Sequence, residues 1–158
     1  MAEHMQEEQS KRIVGREKQA VYIVLNERLS NAMRKGFWFE ACMIEYAIME
    51  DRTSSILAHA RVKKNAYSKD LKMRPKLRSI TAQIEQKHKI VSKKVSPATI
   101  AAIGVWIDKR NDAVHRACIR RYSEDERRDL AEEGRELVRA ISRDSQKVAR
   151  LATKVYGE

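Results

Sequence analysis

The sequence predicts an all-α fold, an up-and-down bundle of four to five helices in a single domain spanning residues 1–158. Apolar residues mostly recur at helical spacing rather than alternating, which is the pattern of helices that each bury one stripe. Five glycines and two prolines in 158 residues leave few places for the chain to break, so the helices should be long. A chain of this length also has enough volume relative to surface to enclose a real core.

Residues 1–12 are polar, carry no pattern that assigns them, and are expected to fray. From Ile13 onward, Val14, Val21, Leu25 and Ala32 mark the stripe of a first helix, which ends near Arg34, Lys35 and Gly36. Cations in a last turn offset the negative end of the helix dipole, and glycine suits the position that follows. A second helix is predicted over 37–61. Its opening run, Phe37-Trp38-Phe39-Glu40-Ala41-Cys42-Met43-Ile44, is apolar nearly all round and suits a central position. Its later half carries Glu45, Arg52 and His59 at seven-residue intervals with Asp51 beside them. Such a stripe on a central helix either faces solvent or supports a cleft.

Residues 62–75 form a basic connection with one aromatic, Tyr67, a ring able to stack on a nucleobase. A third helix follows with Leu77, Ile80, Ile84 and Val91 on its inner face. Ser96-Pro97 is a helix start, serine as N-cap and proline at the first helical position. The fourth helix then runs through Ile100, Ile103, Trp106 and Ile107 to about Ile119. Ser123-Glu124-Asp125-Glu126 has the capping-box pattern and opens a long last helix. There Leu130, Leu137 and Leu151 share one heptad position, and Ile141, Val148 and Val155 another. That narrow seam suits packing in a bundle or against a second copy of the chain.

The net charge of +11 is unevenly spread. Residues 61–94 hold twelve Lys and Arg against only Asp70 and Glu85, so most of the excess lies in the middle of the chain. A concentrated positive field attracts polyanions, nucleic acid foremost, by neutralising phosphates and releasing counterions; otherwise it is a solvated surface. Within it Lys63, Lys64, Lys93 and Lys94, with Lys109 further on, are the residues expected to contact nucleic acid. Cys42 and Cys118 are far apart, form no CxxC pair and have no histidine at ligand spacing, so they read as buried free thiols rather than a zinc or redox site. No metal and no cofactor are expected. The chain opens on no signal peptide and holds no apolar run of the roughly 20 residues a membrane span needs, which predicts a soluble, cytoplasmic protein without a membrane partner.

One stretch concentrates chemistry. Arg110, Asn111 and His115 supply a phosphate-matched cation, a polar orienter and a base that titrates near neutral pH, all within about two helical turns. Asn111 and His115, four residues apart, share a helix face, whereas Arg110 is rotated about 140° from His115 and would meet the same phosphate only through its long side chain or from a second protomer. Arg110 could instead pair with Asp108 or Asp112 on a solvated helix. A second Arg and His pair at similar spacing, Arg52 and His59, lies on the second helix.

Arg110-Asn111-Asp112-Ala113-Val114-His115 resembles the Rx4-6H signature of the HEPN superfamily, whose members are helical bundles of about this size with the motif near the end of the penultimate long helix. The resemblance covers the hexad and the helix order. It favours Arg110, followed by Asn, over Arg52, followed by Thr. It implies a metal-independent endoribonuclease that cuts RNA by attack of the 2′-OH, with Arg110, Asn111 and His115 catalytic in a two-fold homodimer. It also implies a role as toxin or phage-defence effector, with a nucleotidyltransferase-like antitoxin as possible partner. A helical RNA-binding or interaction module without catalysis is the alternative.

Overall fold

The computed structural model describes the backbone of residues 2–119 and 121–157 and the side chains of residues 15–119 and 121–157. Among these residues the chain is helical throughout, with no strand. The helices are α1 (Ala2–Lys35), α2 (Trp38–His59), α3 (Met73–Glu85), α4 (Val91–Lys94), α5 (Pro97–His115) and α6 (Glu124–Tyr156). The all-α expectation holds, with four long helices, one of intermediate length and one single turn.

Cross-chain contacts fix the helix directions. Arg28 pairs with Glu40 at 3.0 Å and Lys18 with Asp51 at 3.0 Å, so α1 runs antiparallel to α2. The Trp106 indole donates to the Leu130 carbonyl at 2.9 Å and the Ser96 amide to Asp144 at 3.0 Å, so α5 runs antiparallel to α6. The Trp38 indole donates to Glu124 at 2.7 Å and the Tyr156 hydroxyl to the Ala60 carbonyl at 3.0 Å, which makes α2 and α6 parallel. The four long helices therefore alternate in direction along the chain. Yet the most extensive interface joins the parallel pair α2 and α6. Small residues allow that approach, since α6 buries Ala131, Gly134, Ser145 and Ala152 beside Val138, Ile141 and Val148. The predicted heptad leucines, Leu130, Leu137 and Leu151, flank this line half-buried, and Val155 is exposed.

Both predicted N-caps are present. The Ser96 hydroxyl accepts from the Thr99 amide with Pro97 at the first helical position, and Ser123 and Glu126 form a reciprocal capping box. α1 ends where expected, at Gly36 in the left-handed region (φ 74), but begins at Ala2 rather than near Ile13. Residues 2–12, expected to fray, belong to the α1 backbone, and their side chains lie outside the described residues. On α1 the inward stripe is Tyr22, Leu25, Leu29, Ala32 and Met33, while Val21, assigned to it from spacing, is exposed.

The predicted third helix divides in two. α3 closes at Glu85, Lys87 adopts φ 55, and Val91 belongs to α4. The His88 ring holds the new start, its Nδ1 accepting from the Ile90 and Val91 amides at 3.3 Å each. α5 stops at His115, short of Ile119. Of the two cysteines read as buried, only Cys42 is; Cys118 lies past the end of α5 and is exposed. Burial pushes the Cys42 thiol up to about 12, with Glu45 adding to the shift and Arg110 opposing it. No described helix is long and apolar enough to cross a membrane.

Candidate functional site

Helical periodicity decides where Arg110 points. Ile103, Trp106, Ile107 and Ala113 are buried, and Arg110 falls within their stripe, one turn after Trp106. It therefore faces α2, where its guanidinium lies 4.8 Å from the centroid of the Tyr46 ring. Such a contact is attractive because the ring face is electron-rich. Nη1 donates to Asn111 Oδ1 at 3.1 Å, while Nε is buried with no hydrogen-bond partner. The carboxylates that could have held Arg110 on the surface are engaged by other groups: Asp108 pairs with Arg74, and Asp112 pairs with Arg116 at 3.0 Å and accepts from the Tyr122 hydroxyl.

His115 is the last residue of α5 and is exposed, with half-buried Asn111 one turn before it. Asn111 thus bonds Arg110 and lies on the helical face of His115, but one chain does not bring Arg110 and His115 onto a common face. Lys109 is set apart from the other predicted nucleic-acid contacts. It pairs with Glu133 at 3.1 Å and lines a recess with Asp112, Tyr122 and Asp129.

The proposed cleft-support residues are separated by the fold. Glu45 is fully buried, and a Cβ built on Gly134 would lie 2.2 Å from its Oε2 and 2.7 Å from Trp106, so the carboxyl occupies the space the glycine leaves open. Neither carboxyl oxygen meets strict hydrogen-bond geometry with any described residue; the nearest donor is the Cys42 thiol one turn earlier, which faces the carboxyl as a weak donor. Burial raises its pKa to about 9, opposed by Arg135 and Cys42, so the group is protonated at neutral pH. Asp51 and Arg52 belong instead to the α1–α2 seam. The Tyr22 hydroxyl donates to Asp51 at 2.5 Å, and the Arg52 guanidinium stacks 4.1 Å from the Tyr22 ring centroid. Burial and then the Asp51 bond hold the Tyr22 hydroxyl well above its ordinary value. His59 is exposed at the C-terminus of α2. Tyr67 is exposed, with the Lys18 ammonium 4.8 Å from its ring centroid.

Most of the basic segment gathers at the opposite end of the bundle from His115. Lys64 and Lys93 are exposed and Lys63 and Lys94 half-buried there. The organising residue is Tyr156, whose ring has the Arg61 guanidinium 4.1 Å and the Lys89 ammonium 4.6 Å from its centroid. Sequence reasoning missed Tyr46 and Tyr156 because each takes its importance from a cation far away in the chain. α5, at 1.5 Å per residue, puts about 27 Å between its own start, just after Lys93 and Lys94, and His115, and Tyr156 lies beyond that start because Ser96 bonds Asp144, about three turns before Tyr156 on α6. A recess of about 670 Å³ lies between α3 and α5, floored by Leu77, Ile84 and Ile100 with Arg74 and Arg78 at its edge, and it includes none of the motif residues.

Among the described residues no three His, Cys, Asp or Glu side chains cluster as metal ligands would. No protein-family model, curated protein or solved structure matches the chain, so its site rests on the geometry above.

Proposed function

We propose that the chain is a metal-independent endoribonuclease of HEPN type, acting as a homodimer through Arg110, Asn111 and His115. The observation that carries this reading is an exposed imidazole at the end of α5, one turn after an asparagine that is itself bonded to Arg110. RNA supplies its own nucleophile. His115 removes the proton from a 2′-OH, the oxygen attacks the adjacent phosphorus, and the 5′-oxygen leaves with a proton returned by an imidazolium. A guanidinium stabilises the charge on the phosphorane, and no step needs a metal ion. Because Arg110 and His115 diverge within one chain, the reading requires a two-fold partner to complete the constellation. A cytoplasmic toxin or phage-defence effector, restrained by a nucleotidyltransferase-like antitoxin, is the setting proposed for it.

Two observations favour a second reading, an RNA-binding module without catalysis: Arg110 is turned inward onto Tyr46, and the main concentration of cations lies at the far end of the bundle. Cleavage of single-stranded RNA in EDTA separates the two. On the enzyme reading His115→Ala and Arg110→Ala each lose roughly 10²–10⁴-fold in rate. Both retain binding, and the parent's products carry 2′,3′-cyclic phosphate. His59→Ala should cut like the parent; if it alone is dead, Arg52 and His59 form the site. Binding without cleavage by any form, parent included, leaves the binding module. Sedimentation showing only monomer at micromolar concentration removes the two-fold site.

A further inference from the structure

Three helices end in the same hydrogen-bond motif but with different residues at its left-handed position. After α1 the residue is Gly36 (φ 74), with the Phe37 amide donating to the Ala32 carbonyl at 2.9 Å. After α2 it is Arg61 (φ 57), with Val62 donating to Leu57 at 2.9 Å and Arg61 to Ala58 at 3.0 Å. After α3 it is Lys87 (φ 55), with His88 donating to Gln83 at 2.9 Å and Lys87 to Ile84 at 3.0 Å. A side chain in this conformation is strained relative to glycine. A cation at a helix C-terminus recovers a comparable amount from the dipole. The two nearly cancel, so local stability does not select Arg or Lys over glycine there.

What the two cations do have in common is location. Arg61 lies over Tyr156 beside Lys89, and Lys87 is two residues before Lys89 in the turn that leads to Lys93 and the start of α5. Arg61 and the turn from Lys87 to Lys94 thus build one positive surface against Tyr156 of α6, and residues 61–94, which supply these cations, hold only two acids, Asp70 and Glu85. The nearer edge of this surface, at Lys93 just before α5, lies about 27 Å from His115, which corresponds to at least about eight nucleotides at ~3.4 Å per stacked nucleotide, and Tyr156 lies further out, beyond Asp144 on α6. We infer that this end is a remote anchor for the RNA backbone, and that the protein selects RNAs long enough to bridge it to His115. The inference rests on the RNA reading above and adds the length class of the substrate.

The test compares RNAs of about four and about sixteen nucleotides on the parent and on the triple variant Lys87→Gly, Lys89→Ala, Lys93→Ala. Lys87→Gly relieves a left-handed residue, so thermal unfolding checks that the fold is kept. For the long RNA the variant should bind more weakly, and its slope of log affinity against log salt should flatten by about 2, near 0.7 per lost phosphate contact. KM should rise with kcat unchanged. For the short RNA neither should move. Equal binding and equal KM of parent and variant on the long RNA overturns the anchor. Tight binding of phosphatidylserine vesicles with no RNA binding overturns it in favour of a membrane surface. If nothing is cleaved but the length and salt effects on binding appear, the anchor stands and the ribonuclease reading fails.

Discussion

The two ends of the bundle hold charge in opposite ways. Around His115 four surface cations are matched to carboxylates: Arg116 to Asp112, Lys109 to Glu133, Arg127 to Glu124, Arg128 to Asp125. Beneath them the interior is polar, with the orphan carboxyl of Glu45 and the unpartnered Nε of Arg110. Around Tyr156 the interior is apolar, built from Ile56, Leu57, Ile90, Val91 and Val148, while Arg61 and Lys89 meet an aromatic ring on the outside. Exposed ion pairs contribute little to stability and largely cancel each other's field at a distance. The Tyr156 end instead gathers cations from a segment with far more Lys and Arg than acids, among them Lys87, Lys89, Lys93 and Lys94. The first end is therefore suited to short-range chemistry, the second to long-range attraction of a polyanion.

The polar interior gives the largest test of this contrast. Glu45 has its folded pKa raised to about 9 from an ordinary 4.5. The folded state therefore holds a proton that the unfolded chain releases above pH 4.5. Its contribution is fully present below pH 4.5 and is lost as pH rises toward 9, which amounts to about 3 kcal/mol by pH 7. Glu45→Gln cannot ionise. It should unfold like the parent near pH 4.5 and be the more stable by about 3 kcal/mol at pH 7, measured by denaturant titration across that range. A parent stability that does not fall between pH 5 and 9 would remove the buried neutral carboxyl.

The sequence exposes this contrast only in part. Element identity was legible because period, caps and the scarcity of glycine all point the same way, as at Ser96-Pro97, Ser123 with Glu126, and Gly36. The break at Lys87 was not legible, because the signal for a left-handed C-terminus is glycine and the chain uses a cation instead. The separation of Glu45 from Arg52 was equally hidden. Seven-residue spacing places both on one stripe of α2, but the neighbour changes along it, from Gly134 and Trp106 to Tyr22. Arg110's inward turn could have been read from its place in the stripe of Ile103, Trp106 and Ala113. The distance between the basic segment and His115 could not, since it depends on α3 and α4 leading back to the start of α5.

A second, smaller effect tests the glycine that makes room for Glu45. Gly134 and Ala152 lie on the same face of α6, five turns apart, yet only Ala152 carries a Cβ. Gly134→Ala gains about 1 kcal/mol in helix propensity but places a carbon 2.2 Å from Glu45 Oε2 and 2.7 Å from the rigid Trp106 ring. Overpacking of this kind costs about 1–3 kcal/mol, so a net loss of about 1 kcal/mol is expected in the unfolding midpoint. Part of it should be recovered when Glu45→Ala is added, since the shorter side chain frees the space. A Gly134→Ala protein more stable than the parent would mean that the carboxyl does not fill that gap.

The smallest expected effect comes from unpairing single cations at the His115 end. Asp112 neutralises Arg116 one turn away at 3.0 Å, and the two are partly exposed. Asp112→Asn keeps the size of the side chain and removes the charge, so Arg116 loses its 3.0 Å carboxylate partner and becomes available to a phosphate. Binding of a long RNA at low salt should tighten by a few-fold, and the slope against log salt should steepen by about 0.7, the signature of one added phosphate contact. The loss of a surface pair costs the fold about 0–1 kcal/mol, too little to mask the change. Glu133→Gln, which frees Lys109 from its 3.1 Å pair, should act in the same direction. If both variants leave affinity and slope as in the parent, pairing is not what keeps the His115 end from attracting RNA, and the different behaviour of the two ends must come from how many cations each presents rather than from how they are matched.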